Sequence, residues 1–264
     1  MMIKGVTPSQ RIQSRLPRLK PHWTELAKQG KDEQQMRTAY IFDVDGTLTP
    51  SRSQIDDRFK DWFLDFQSRN DVYLVTGSDH PKTVEQVGID ICDASKIVFN
   101  CCGNEARKGS ELLYRSDWEG TPELIAALEH ELTIASFHIR TGQHIEIRTG
   151  LINFSIVGRG ANKEQRKQYV DFDSTRFERR SVVSRLLHRF HDIDFAIAGE
   201  TGIDIYPMRK DKSQILAHIE ADRTVFFGDA IWPGGNDYPI AVKCDEYHPV
   251  GSWEETWDIL SKIN

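Results

Sequence analysis

Asp43-Val-Asp45-Gly-Thr47, Thr76-Gly-Ser78, Asp211-Lys212 and Gly228-Asp229 are four short segments whose side chains could hold a metal and handle a phosphoryl group. Two carboxylates two residues apart, just past a strand, can share a divalent cation. A third from another strand end completes a hard oxygen site suited to Mg²⁺. A phosphorylated substrate brings its own negative charge, so a cation is needed before a carboxylate can approach phosphorus. Hydroxyls at Thr76 or Ser78 can hydrogen-bond phosphoryl oxygens, and Lys212 can neutralise them as a point charge. A lone Asp-x-Asp-Gly is common in turns and calcium loops; four such elements in this order are not.

The elements around these segments form an alternating pattern. Ala39-Tyr-Ile-Phe-Asp-Val44 is a buried-strand run stopped by Asp45-Gly46-Thr47. Phe59, Trp62, Phe63 and Phe66 recur at helical spacing, which predicts an amphipathic helix over Asp56 to Arg69. Val72–Val75, Lys96–Phe99 and Thr224–Phe227 read as further core strands, Asp211-Lys212 opens a helix, and Trp253 to Ile263 reads as a closing helix. Strands alternating with helices predict an α/β fold with a Rossmann-like, doubly wound parallel sheet, whose ligands gather at the carboxyl ends of its strands. The middle differs. Thr121-Pro122 starts a helix bearing Leu124, Ile125, Leu128 and Leu132 on one face, and another helical stretch runs through about Arg176 to His191. His144–Arg148, Asn153–Val157, Phe195–Ala198 and Ile203–Tyr206 read as strands, the first two alternating like half-buried ones. This predicts an inserted α+β cap domain with an antiparallel sheet. The expected organisation is a basic tail over 1–36, a catalytic core over 37–113 and 208–264, and a substrate-binding cap over 114–207.

The chain has 264 residues, 39% of them hydrophobic, with a net charge of −6. It therefore lacks the global basic field of a nucleic-acid binder. No run is long and apolar enough to span a membrane, and no signal-peptide core is visible. The tail carries Lys4, Arg11, Arg15, Arg18, Lys20, Lys28 and Lys31; its scarcity of Ser argues against an organelle-targeting peptide. Cys92, Cys101, Cys102 and Cys244 have no CxxC spacing, so a reduced cytoplasmic setting is expected, with Cys101 and Cys102 as buried small residues.

FDVDGT, VTGSD, DK and FFGD resemble the four motifs of the haloacid dehalogenase superfamily of aspartyl-phosphate enzymes. Within it, FDVDGTLTPSR, GSDHPKTVEQVG, IEIRTGLINFSIVGR, IDIYP and FFGDAIWPGGNDYPI are similar to the eukaryotic-type phosphomannomutases, over about residues 39 to 242. The resemblance implies that Asp43 is a nucleophile that becomes an aspartyl phosphate and that Asp45 is the general acid/base for the sugar hydroxyl. It implies Mg²⁺ on Asp43, Asp229 and the backbone of Asp45, with Asn236 and Asp237 shaping the metal side. It places Lys212 and Ser78 at the transferring phosphate and Arg52 toward the substrate. Arg148, Arg159 and Arg166 grip the distal phosphate, and Asp204 contacts sugar hydroxyls. Guanidinium forks suit that task because they bind phosphate bidentately and stay charged. The implied reaction interconverts mannose 6-phosphate and mannose 1-phosphate and feeds GDP-mannose synthesis. A hexose 1,6-bisphosphate is the implied activator, and a homodimer through the cap the implied assembly.

Several positions depart from the family pattern. Gly202 stands where a serine is usual, so one substrate hydrogen bond is missing or replaced. Cys101-Cys102-Gly103 replaces Glu-Asn-Gly, and Ala230-Ile231 replaces Lys-Thr. Thr76 replaces glycine and resembles the Thr-Gly of sugar-phosphate phosphatases, and the helical part of the cap looks shorter. A Mg²⁺-dependent sugar-phosphate phosphatase of the same superfamily is thus the alternative. Intact Asp43, Asp45, Lys212 and Asp229 argue against a non-catalytic sugar-phosphate sensor.

Overall fold

The computed structural model describes residues 36–263; the basic tail lies outside the described residues except at its last position. Among the described residues, eleven strands divide between two sheets. The larger has the order β11-β10-β1-β2-β3-β4-β5. β1 (Thr38–Phe42), β2 (Asp71–Val75), β3 (Ile97–Asn100), β10 (Arg223–Gly228) and β11 (Glu246–Pro249) run parallel, while β4 (Glu105–Lys108) and β5 (Glu111–Arg115) form an antiparallel edge. The chain winds outward from β1 through β2 and β3, and later returns to its other side at β10. β1 therefore lies at the switch point where such sheets open a crevice. Register sets Phe42 level with both Leu74 and Phe227, so Asp43, Thr76 and Asp229 leave the sheet at one end.

Side chains of β1 alternate between two apolar layers, which is why the strand reads as a continuous hydrophobic run. Tyr40 and Phe42 pack against Phe59, Phe63 and Phe66 of α1 (Asp57–Arg69), whose amino end is capped by the Asp56 side chain. Ala39 and Ile41 face Ile215, Ile240 and Ala241. Phe42 is fully buried, stacks on Phe227 at 4.9 Å and meets the Phe63 edge at 5.2 Å. Phe42→Ala should cost about 3–5 kcal/mol of stability by denaturant unfolding, the range for emptying an aromatic site in a packed core. A loss below ~1 kcal/mol would show that this layer relaxes around the gap.

The second sheet, with the order β6-β7-β9-β8, is fully antiparallel. It comprises β6 (Ile145–Arg148), β7 (Leu151–Phe154), β8 (Ile193–Ala198) and β9 (Gly202–Pro207). One face packs against α4 (Pro122–Ile134), α5 (Lys163–Arg176) and α6 (Glu178–Arg189) through Leu124, Leu128, Tyr169, Val182 and Leu186. The other face sets Leu151, Ala196 and Tyr206 against Cys101 and Cys102. Period-2 alternation puts Ile152, Phe154, Ile203 and Ile205 on the helix side and Asn153 and Asp204, cross-strand partners, on the opposite side. Arg148 Nη1 donates to Gly77 O (2.6 Å), Asn104 Nδ2 to Gly150 O (3.0 Å) and Ile197 N to Gly234 O (3.0 Å), so the two sheets are joined by hydrogen bonds.

The remaining helices are α2 (His80–Val87), α3 (Ile89–Ala94), α7 (Tyr238–Ala241) and α8 (Trp253–Leu260). Three expectations need correction. Residues Lys212–His218 form a 3₁₀ helix, capped by the Asp211 side chain. The expected stretch from about Arg176 to His191 is the second of two helices, which break at Phe177 (φ 53°). The first of them, α5, buries only Tyr169 and Asp173, so it carries little helical periodicity of hydrophobic residues. Of the expected strand pair, the first starts one residue later, at Ile145–Arg148, and the second is shifted toward the turn, at Leu151–Phe154 instead of 153–157. Among the described residues no helix is long and apolar enough to cross a membrane.

Candidate active site

Asp43 follows β1, Asp229 follows β10 and Asp237 precedes α7, and their carboxylate oxygens lie within 4.8 Å of one another. Lys212 Nζ donates to Asp43 Oδ1 at 2.5 Å and to Asp237 Oδ1 at 2.7 Å, and Asp237 Oδ2 accepts from Ala230 N at 3.0 Å. Three carboxylates around one ammonium leave two surplus negative charges, the charge a divalent cation offsets. The electrostatics show the same surplus. Burial, opposed by Lys212 but reinforced by Asp237 and Asp229, holds the Asp43 carboxyl well above the usual carboxylate range. Burial and then Asp237 push Asp229 up to about 7. Oxygen donors in this number suit Mg²⁺.

The Asp45 side chain stands apart from that group. Its Oδ1 accepts from Arg52 N at 2.7 Å and from Gln86 Nε2 at 2.9 Å. The loop between them is tight: Gly46 has φ 82°, and a Cβ there would come within 2.5 Å of Asp229 Oδ2. Arg52 itself has φ 55°, a conformation disfavoured for a side chain of its size. Thr76 and Ser78 are buried in the wall, with Thr76 Oγ1 accepting from Ser78 N at 3.1 Å.

Facing these residues across one cavity are Arg148, Arg159 and Arg166. Glu146 pairs with Arg148 and, at 2.9 Å, with Arg159; Glu200 pairs with Arg166, whose Nη2 also donates to Ser51 Oγ at 3.2 Å. Arg159 Nη1 donates to Asn153 Oδ1 (3.3 Å), and Asn153 Nδ2 to Asp204 Oδ1 (2.8 Å). Cations crowd here. Burial, then Arg159 and Arg166, lower Arg52 to about 10. Burial lowers Lys82 to about 8; Asp45 opposes this, while Arg159, Arg148 and Arg52 add to it. Such a cavity is an anion site.

Asp43, Asp45, Arg52, Ser78, Arg148, Arg159, Arg166, Asp204, Asp229 and Asn236 thus line one cavity, with Lys212 and Asp237 buried at its Asp43 end. Asp45 lies outside the three-carboxylate group. Sequence reasoning missed Lys82, Glu146, Asn153, Glu200 and Gln86. The first three and Gln86 fall inside the family-like segments already singled out, and the Lys82 position one turn into α2 was their available signal. The Gly202 departure has a steric counterpart: a Cβ there would come within 2.8 Å of Asn153 Nδ2, the amide that instead holds Asp204.

The fold is that of the haloacid dehalogenase-like proteins. It is similar, at 14% identity and a TM-score of 0.60, to the IMP-nucleotidase of Plasmodium falciparum, covering 87% of this chain and 68% of that one. A haloacid dehalogenase subclass IIB sugar phosphatase superposes with a TM-score of 0.53 at 15% identity, covering 86% of this chain and 98% of that one. The family model for eukaryotic phosphomannomutase matches residues 59–263. The phosphomannomutase of Saccharomyces cerevisiae is 34% identical over 240 residues, which are 86% of this chain and 94% of that one. The Schizosaccharomyces pombe phosphomannomutase is 34% identical over 242 residues, with the same coverage. The chain belongs to the eukaryotic phosphomannomutase family.

Proposed function

We propose that the protein interconverts mannose 6-phosphate and mannose 1-phosphate through an aspartyl phosphate on Asp43, feeding GDP-mannose synthesis in the cytoplasm. The observation that carries this reading is the two-sided cavity: an acidic centre at Asp43 on one wall and three arginines on the other. In this reading the core over 37–113 and 208–264 does the chemistry beneath a cap over 114–207. Asp43 Oδ1 is tied to Lys212, which leaves Oδ2 to attack phosphorus. Hexose 1,6-bisphosphate leaves Asp43 phosphorylated; Asp45 then takes the proton from the free hydroxyl of a hexose monophosphate, which attacks that phosphorus, so the Oδ2–P bond breaks and a bisphosphate forms. With the sugar turned end for end, Oδ2 attacks the other phosphorus, its bond to the sugar oxygen breaks, and Asp45 protonates that oxygen. Mg²⁺ held by Asp43, Asp229 and the Asp45 carbonyl, with Asn236 and Asp237 shaping that side, would supply the positive charge that keeps these carboxylates ionised. Ser78 and Lys212 attend the transferring phosphate; Arg52, Arg148, Arg159 and Arg166 hold the other; Asp204, oriented by Asn153, meets the sugar. A hexose 1,6-bisphosphate primes the cycle. A homodimer through the cap is supported by the exposed apolar side chains of Ile134, Phe177 and Leu187 on and between its helices.

The second reading, hydrolysis of a sugar phosphate, is favoured by Thr76 at the cavity wall. Arg166→Ala tests the proposal. It should cut mutase efficiency on hexose phosphates by roughly ten- to a hundredfold, the worth of a charge-assisted contact. Hydrolysis of acetyl phosphate, which has no second phosphate, should barely change. Scoring mannose 6-phosphate against free phosphate from mannose 1-phosphate separates the two readings. Equal losses on both substrates, with the fold intact, would move Arg166 from phosphate binding to support of the core.

A further inference from the structure

The turn between β8 and β9 carries Glu200 into the same cavity, and its carboxylate meets both Nε (2.9 Å) and Nη2 of Arg166. The pairing differs from that of the other two arginines. Glu146 is shared between Arg148 and Arg159, whereas Glu200 pairs with Arg166 alone. The two partners also differ in freedom. The Arg166 side chain is 11% exposed and is held by Ser51, whereas that of Glu200 is 47% exposed. Gly199 before it has φ 50° and nothing within 4 Å of where a Cβ would stand. Glu200 moreover borders a second cavity shared with Thr49, Pro50 and Trp253, and its half-exposed carboxylate can be solvated when displaced.

We propose that the Glu200 carboxylate competes with the substrate's distal phosphate for Arg166. The inference rests on the reading of Arg166 as a distal-phosphate ligand. A mutase whose bisphosphate intermediate is gripped at one end must release that end before the other can react. A carboxylate poised to replace the departing phosphate keeps Arg166 paired during the exchange, so the arginine is never left buried and unpaired. Glu200 thereby weakens the ground-state grip and eases release.

The experiment compares wild type, Glu200→Gln, Glu200→Ala and Arg166→Ala as full chains, with mannose 1-phosphate as substrate and the melting temperature as a check on folding. Loss of the competing charge should lower KM roughly three- to tenfold in both Glu200 variants, without raising kcat; the worth of a charge-assisted contact is reduced here by solvent at a half-exposed carboxylate. Arg166→Ala should raise KM. If Arg166→Ala raises KM but neither Glu200 variant lowers it, the competition is refuted and the mutase reading stands. A higher KM in the Glu200 variants would likewise refute it and make Glu200 a residue that positions Arg166. If Arg166→Ala leaves KM unchanged, the reading of the clamp and this inference fall together.

Discussion

Asp43→Asn should reduce turnover at least about a thousandfold, roughly 4 kcal/mol of transition-state stabilisation, while leaving the fold intact. The amide keeps the shape of the side chain and can still accept from Lys212, which lies 2.5 Å from Oδ1. It cannot supply the anionic oxygen that bonds to phosphorus. The charge around Lys212 predicts a second result. Asp43, Asp229 and Asp237 surround a single ammonium, so neutralising one of them relieves repulsion. The variant should therefore melt no lower than the wild type in metal-free buffer. Acid-stable phosphate incorporation from labelled acetyl phosphate should disappear with it. A variant retaining a tenth of the wild-type rate would end the covalent mechanism at Asp43.

Removing divalent cations should stop activity altogether, and Mg²⁺ should restore it. Stability gives an independent reading. The Asp43 carboxyl is held well above its ordinary range, and Asp229 is pushed up to about 7, mainly by burial. A carboxyl whose folded pKa exceeds its unfolded value, about 3.9, binds its proton more tightly in the folded state. Its stabilising contribution is fully present below that unfolded value and is lost as the pH rises through about 7. Metal-free protein should accordingly lose melting temperature between about pH 4 and pH 7, the interval between the unfolded and folded values of Asp229. Mg²⁺ at ~100 times its Kd contributes about 2.7 kcal/mol, or roughly 5–10 °C for a chain of this size. That gain should appear at pH 8 and shrink toward pH 5, where protons compete for the same oxygens. An equal gain at both pH values would place the cation away from Asp43 and Asp229.

Much of the reacting end was legible because its information is local. Each central strand is an apolar run closed by its own polar residues, so Asp43, Thr76 and Asp229 announce themselves at strand ends. The edge strands β5 and β11, and β4 beside β5, were not legible. β5 and β11 bury no residue, and an edge facing solvent needs no apolar alternation, while the four residues of β4, EARK, are too short and too polar to show one. Helix α5 escaped for a similar reason, since a capping box and two buried side chains stabilise it without an apolar stripe.

By itself, the sequence determined the α/β class, the inserted antiparallel sheet, the acidic residues of the centre and the three arginines opposite them. The class, the sheet and the strand-end acids follow from residue type and from periodicity along a few adjacent positions, whereas Asp237 and the arginines followed from the family resemblance of their segments. Only the tertiary structure decided which charges meet. Lys212 bridges Asp43 and Asp237 from 169 and 25 positions away, and Asn153 orients Asp204 across a strand register 51 positions apart. Glu200 faces Arg166 because a β-turn and the start of α5 converge on one cavity. Pairing of this kind depends on distance and burial, because a charge interacts strongly only with what lies within a few ångströms and is shielded from water. The spacing of residues along the chain carries neither quantity.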